Sequence, residues 1–272
     1  MPNEKFQNEN SVGVTAAGGF RAAGVACGLK PNGSLDLALI VSDSDCVCAG
    51  MFTTNRVQAA PVQYDRDVLA KNTSAIRAVI ANSGCANACT GDAGLADTRA
   101  TAEAAAQSIG CRADQVLVLS TGVIGQRLNM AKLKAGIALA GTRLDCAGGE
   151  EASRAIMTTD TRPKVSVAAR ASHTIGGMAK GSGMIHPNMA TMLSVITTDA
   201  RIAPLLLDRA LRAAVGQSFN RITVDGDMST NDTILVLANG TAGKEIGSLE
   251  IDDFTAALTS VCTDLAKQLV RD

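Results

Sequence analysis

The chain has 272 residues, 46% hydrophobic and 19% charged, enough for one large domain or two ordinary ones burying about 75% of their unfolded surface, and too apolar for extended disorder. Twenty-five basic residues balance 26 acidic ones with no Lys/Arg cluster, and aromatics are 2% with no Trp, which argues against a nucleic-acid partner that needs a basic track or stacking rings. The opening MPNEKFQNEN is polar and acid-containing and no apolar run reaches membrane-spanning length, so neither a targeting peptide nor a membrane span is expected and the setting is read as cytoplasmic.

After a Gly- and Ala-rich stretch from Gly13 to Gly28, short apolar runs at 35–41, 46–52 and 76–80 predict buried strands. Residues 94–109 are Ala-rich and stop at Gly110, the pattern of a helix closed by a left-handed glycine. A strand over 115–120 follows, then a TGVIG turn, then a helix to Ala140 that Asn129 is placed to cap. A strand is expected at 164–168. The segment 175–191, IGGMAKGSGMIHPNMAT, carries four Gly and one Pro and is expected to form no regular element. Beyond it, strands are expected at 192–197, 222–224 and 233–237, and helices at 203–219 and 252–270. This alternation predicts a mixed α/β layered fold with a large sheet content.

Eight cysteines in a chain of this size read as thiols rather than staples. Cys46 and Cys48 alternate onto one strand face, Cys85 and Cys89 would stand one turn apart on a helix, no zinc-ribbon spacing repeats, and both His lie elsewhere, so no metal is expected. The motifs GxGxxG, GxxxxGK[ST], HExxH and GxSxG are all absent, which removes the familiar hydride, phosphoryl, zinc-peptidase and hydrolase-elbow signatures. What remains is the Gly-rich segment, where small residues permit close backbone approach and Lys180 adds a positive charge.

Within it, KGSGMIHPNMATML (180–193) resembles the autoprocessing segment of the ornithine acetyltransferases, also called glutamate N-acetyltransferases. Further resembling blocks follow in family order: MFTTNRVQAAPV from Met51, NSGCANACTG from Asn82, STGVIG from Ser120, AIMTTDTRPK from Ala155 and ITVDGDMSTNDTILVLANG from Ile222. The resemblance implies a layered αββα sandwich of the self-processing kind. It also implies a cut between Ala190 and Thr191, dividing the precursor into an α chain, 1–190, and a β chain, 191–272. Thr191 then becomes an N-terminal nucleophile whose own amine, with a reference pKa of roughly 7.7–8.0, serves as the base.

By the same resemblance Thr121, through its hydroxyl, and Gly122, through its N–H, form the oxyanion hole, and Thr158, Lys180 and Thr191 bind substrate. The implied reaction is acetyl transfer from N-acetylornithine to glutamate through an acetylated Thr191, with no cofactor, acetyl-CoA as an additional co-substrate in some relatives, and an assembly of two α and two β chains. His186 is expected to pack or cap its loop, and Asp225, Asp227 and Asp232 to form turns or hydrogen-bond the Gly-rich segment rather than bind a cation. Cys85 and Met228 stand where many relatives carry Asn and Thr. The rival readings are an N-terminal-nucleophile amidase, which delivers the acyl group to water, and a non-catalytic fragment. The latter arises because relatives continue past the point matching Asp272 with a Gly-Glu-Gly-Ala-Thr-Lys segment whose Glu, with a later Asn and Ser or Thr, contacts substrate, so this chain alone is expected to be a poor catalyst.

Overall fold

The computed structural model describes residues 11–184 and 192–272. Its first half-sheet comprises β1 (Phe20–Val25), β2 (Leu37–Phe52), β3 (Ile76–Cys85) and β4 (Val116–Val123). β2 runs antiparallel to both β1 and β3, and β4 lies parallel to β3. The second half-sheet is built from β5 (Lys164–Ala169), β6 (Thr174–Lys180) and β7 (Leu193–Thr198), while β8 (Arg201–Ile202) stands apart; β9 (Thr233–Ala238) completes it, and β10 (Glu245–Ile246) pairs with β8 alone. The order across the whole path is β4-β3-β2-β9-β7-β6-β5.

One strand belongs to both halves. The runs 35–41 and 46–52, expected as separate strands, are the two ends of β2, because the intervening Ser-Asp-Ser-Asp contains no Gly or Pro to reverse the chain and instead makes a register shift between Val41 and Cys46. Leu37–Val41 pair with β3, and Val47–Phe52 pair with Ala238–Thr233 of β9.

Alternation then sorts the side chains into three cores. On β3, Val79 and Ala81 face a central layer, together with Leu117 and Leu119 of β4, Leu193 and Val195 of β7, and Leu235 and Leu237 of β9. Ala78, Ile80, Val116 and Val118 face outward onto helices α2 and α3, which follow α1 (Ala60–Leu69) and span Gly91–Ile109 and Met130–Thr142. After α4 (Gly149–Ala155), whose Ala152 and Ala155 join the central layer, α5 (Pro204–Gln217) and α6 (Ile251–Arg271) cover the other outer face against Ile196, Ile234 and Val236. The sandwich is therefore helices, sheet, sheet, helices, the αββα layering expected. Gly110 closes α2 at φ 75°, and the Asn129 side chain caps α3 by accepting from the Lys132 N–H. All eight cysteines are free thiols.

Two further expectations fail. The first part of the Gly-rich segment is not irregular: Thr174–Lys180 forms the fully buried strand β6, paired on both sides. Its glycines serve packing, since a Cβ on Gly176 would come within 1.9 Å of the Gly13 carbonyl oxygen. The stretch 222–224 is not a strand. It is a largely exposed connection after the 3-10 turn Phe219–Arg221, in which Ile222 tucks against the α5/α6 core while Thr223 and Val224 face solvent. Cys85 ends β3 and Cys89 sits in a loop at φ 58°, so the two do not share a helix turn.

The segments on either side of position 190 are interleaved. β7 and β9 come from beyond it and lie between β2 and β6, which come from before it.

Candidate active site

β4 and β6 belong to different half-sheets, yet their ends meet. Thr121, near the end of β4, is 8% exposed, and Lys180, the last residue of β6, is 4% exposed. The Lys180 Nζ donates to Thr121 Oγ1 at 3.2 Å. With its oxygen occupied as acceptor, the Thr121 hydroxyl keeps its own proton for donation elsewhere. Burial lowers the Lys180 ammonium pKa, with Lys164 and Lys30 adding repulsion, while Asp160 and Asp232 oppose the shift.

Gly122 follows at φ 130°, a conformation open to glycine, and a Cβ there would fall 2.3 Å from the Gly84 carbonyl carbon across the β3/β4 ladder. The end of β3 is fixed beneath it. Ser120 Oγ donates to Asn82 Oδ1 at 2.6 Å, and Asn82 Nδ2 donates to the Cys85 carbonyl at 2.8 Å.

Thr158 lies in the loop after α4, and Asp160 carries it to the same place. The Asp160 carboxylate accepts from the Thr158 N–H at 3.0 Å, the Gly181 N–H at 2.6 Å and Lys164 Nζ at 2.7 Å. Burial pushes its pKa up, but the charge of Lys180 and these three donors outweigh burial and hold it below the ordinary carboxylate value. Asp160 thus ties the Thr158 loop to the end of β6. Sequence reasoning passed over it, although it stands in the same TTDT run as Thr158.

Ala190, Thr191 and His186 lie outside the described residues. β6 and β7 are antiparallel with Lys180 opposite Leu193, so the connection carrying these residues leaves and re-enters the sheet at the Lys180 end. Met192, directly after Thr191, is described: its N–H donates to Asp232 Oδ1 at 3.1 Å. Asp225 accepts from the Met184 N–H and from the Asp227 N–H, so Asp225 and Asp232 both hydrogen-bond the Gly-rich connection or its immediate flank. Cys85 donates to the Gln126 carbonyl, with burial raising its thiol pKa, and Met228 Sδ accepts from Thr54 Oγ1. Among the described residues no three His, Cys, Asp or Glu gather closely enough to hold a metal ion, and no helix is long and apolar enough to cross a membrane.

The geometry so far is a buried Lys–Thr hydrogen bond at the joint of two half-sheets, beside a glycine turn and at the root of the β6–β7 connection. Comparison with known proteins places it in context. A family model described as "ArgJ family" matches residues 21–272. The arginine biosynthesis bifunctional protein ArgJ of Streptomyces coelicolor is 52% identical over 260 residues, covering 95% of this chain and 67% of that protein. Its counterpart in Symbiobacterium thermophilum is 51% identical over 269 residues, covering 96% and 66%. The chain therefore spans about two thirds of the length of these curated relatives. The solved structure of an ornithine acetyltransferase complexed with ornithine, from Mycobacterium tuberculosis, is 47% identical with a TM-score of 0.59, covering 65% of this chain and 95% of that one. An L-aminopeptidase D-Ala-esterase/amidase from Ochrobactrum anthropi is 10% identical with a TM-score of 0.53 over 94% of this chain and 85% of that one, a likeness of fold alone.

Proposed function

This chain belongs to the ArgJ family, and from that premise we propose that it is a self-cleaving acyltransferase of arginine biosynthesis that moves an acetyl group from N2-acetylornithine to glutamate. The observation that supports this best is the Lys180–Thr121 hydrogen bond at the root of the connection bearing Thr191.

In the first event Thr191 Oγ attacks the carbonyl carbon of Ala190. The C–N bond of the Ala190–Thr191 peptide breaks, its electron pair takes a proton to become the Thr191 amine, and water then hydrolyses the ester to leave chains 1–190 and 191–272. In each turnover the Thr191 amine accepts the hydroxyl proton as Oγ attacks the acetyl carbonyl. The amide C–N bond of N2-acetylornithine breaks, and ornithine leaves with the proton. The glutamate α-amine attacks the resulting ester, forming N-acetylglutamate and returning the proton to Thr191 Oγ.

At each tetrahedral stage the oxyanion faces Thr121 and Gly122. The Thr121 hydroxyl is a prepared donor because Lys180 already occupies its oxygen. Lys180 has further N–H donors for a substrate carboxylate, and Thr158, tied to it through Asp160, completes the binding group. The reading requires no bound cofactor, takes acetyl-CoA as an additional acetyl donor, and places the enzyme in the cytoplasm as two α and two β chains.

Expression of the 272-residue chain followed by a denaturing gel and mass spectrometry tests the first event. Two fragments split after Ala190 are expected, with Thr191→Ala leaving the chain whole. An intact wild-type chain under conditions where relatives are processed refutes self-cleavage. Product analysis with and without glutamate tests the second event, since acetate independent of glutamate would make the protein an amidase.

A further inference from the structure

The segment just before β9 reaches both reactive groups at once. Asp232 Oδ1 accepts from the Met192 N–H at 3.1 Å, and that N–H belongs to the same planar peptide unit as the carbonyl of Thr191. The preceding residue, Asn231, donates from Nδ2 to the Ser120 carbonyl at 2.8 Å and to the Ala86 carbonyl at 2.7 Å. The Ser120 carbonyl belongs to the peptide unit that enters Thr121. Two adjacent side chains thus hold the peptide leaving one reactive threonine and the peptide entering the other.

The segment that carries them is itself pinned. The Thr53 N–H donates to the Asp232 carbonyl at 2.8 Å, the Ala59 N–H to the Thr230 carbonyl at 2.9 Å, and the Thr233 N–H to the Met192 carbonyl at 3.1 Å. Thr230 Oγ1 donates to Asn231 Oδ1 at 2.7 Å, which fixes the Asn amide so that its nitrogen faces the two carbonyls. Asn231 is 6% exposed and Asp232 1%, and the second oxygen of Asp232 is buried with no hydrogen-bond partner among the described residues. A buried carboxyl is costly in a core where an apolar residue would serve packing alone.

We propose that Asn231 and Asp232 form a positioning clamp that ties the Met192 N–H, directly after the Thr191 nucleophile, to the Ser120 carbonyl, directly before the Thr121 oxyanion donor. The inference rests on the roles given to those two threonines above. It adds that one dipeptide, besides the pairing of the strands, joins the residue after Thr191 to the residue before Thr121. Neither clamp residue touches the reacting atoms. Their effect is geometric, and displacement of reacting groups by about 1 Å is enough to cost on the order of 100-fold in rate.

The test uses the full chain with three substitutions, Asp232→Ala, Asp232→Asn and Asn231→Ala. Each is followed by the rate of cleavage after Ala190 at a temperature well below its melting point, and by hydrogen exchange at the amides of Met192, Thr121 and Gly122. Asp232→Ala and Asn231→Ala are expected to slow cleavage roughly 10- to 100-fold, with Asp232→Asn, which keeps an acceptor for the Met192 N–H, recovering most of the loss. Wild-type speed in either alanine variant, or an Asn variant as slow as the Ala variant, overturns the clamp. An intact wild-type chain would instead refute self-cleavage, and the clamp is then decided by exchange. Each alanine substitution is expected to raise exchange at both Met192 and Thr121–Gly122, and exchange raised only at the mutated residue's own partner overturns it.

Discussion

Thr121 is held by a donor, and that sets what its removal should do. Thr121→Val keeps the shape of the side chain but deletes both the acceptor for Lys180 and the proton offered to the oxyanion, so acetyl transfer is expected to fall roughly 100- to 1000-fold with the fold intact. Unchanged turnover with an unchanged melting curve would remove Thr121 from the chemistry. Asp232 supports a second prediction, on pH. Burial raises its carboxyl from 3.8 to about 8, against the hydrogen bond from the Met192 N–H and the charge of Lys180. Between those two values the folded state keeps a proton that the unfolded state has lost, so this residue makes the fold less stable as pH rises through the interval, and no further above it. In Asp232→Asn the contribution disappears, and the melting temperature of the variant relative to wild type should climb from pH 4 to 8 and then level off; parallel profiles would contradict the shift. Thr121, Gly122, Thr158 and Lys180 were open to proposal from the sequence because each stands in a recognisable block. Asp160 and Asn231 were not, because what they do depends on partners 21 and 111 positions away.

At the scale of elements, periodicity and capping placed most helices and strands close to where they form, α2 with its closing glycine and α3 with its Asn129 cap among them. The misreading of β6 and β1 has one physical source. Glycine in a sequence is read as a break, yet in β6 it is the residue that allows another backbone to lie against the strand, and in β1, drawn from the Gly- and Ala-rich stretch 13–28, a Cβ on Gly24 would lie 2.2 Å from the Glu151 carbonyl oxygen of α4. A paired experiment separates the two kinds of glycine. Gly176→Ala in β6 forces a Cβ to 1.9 Å from the Gly13 carbonyl and is expected to destabilise by about 1–3 kcal/mol. Gly216→Ala, inside α5 with no atom within 4 Å of the new Cβ, is expected to be neutral or to stabilise by up to about 1 kcal/mol. Calorimetric melting of the two variants decides. Equal effects would mean that close approach is not why β6 carries glycine.

For the molecule as a whole, the layered class could be read from the alternation of elements, but nothing local revealed that β2 would join both half-sheets or that β7 and β9 would enter between β2 and β6. That interleaving changes the molecularity of unfolding once the chain is cut. Before cleavage these strands belong to one chain, and parting them on unfolding is not affected by dilution. After cleavage after Ala190, separating β9 from β2 and β7 from β6 releases two particles, so mass action enters and the midpoint rises with protein concentration. Melting the processed protein and Thr191→Ala side by side over a 100-fold range of concentration should give a midpoint that rises more steeply with concentration for the first than for the second. Under the proposed cut, a product assembled by association yet born as a single chain starts with its two halves at the high effective concentration of a tether, so the order of events would matter: the fold would form while the tether exists, and the cut would then leave a complex that, after thorough dilution and unfolding, would reassemble far more slowly than the precursor first folded.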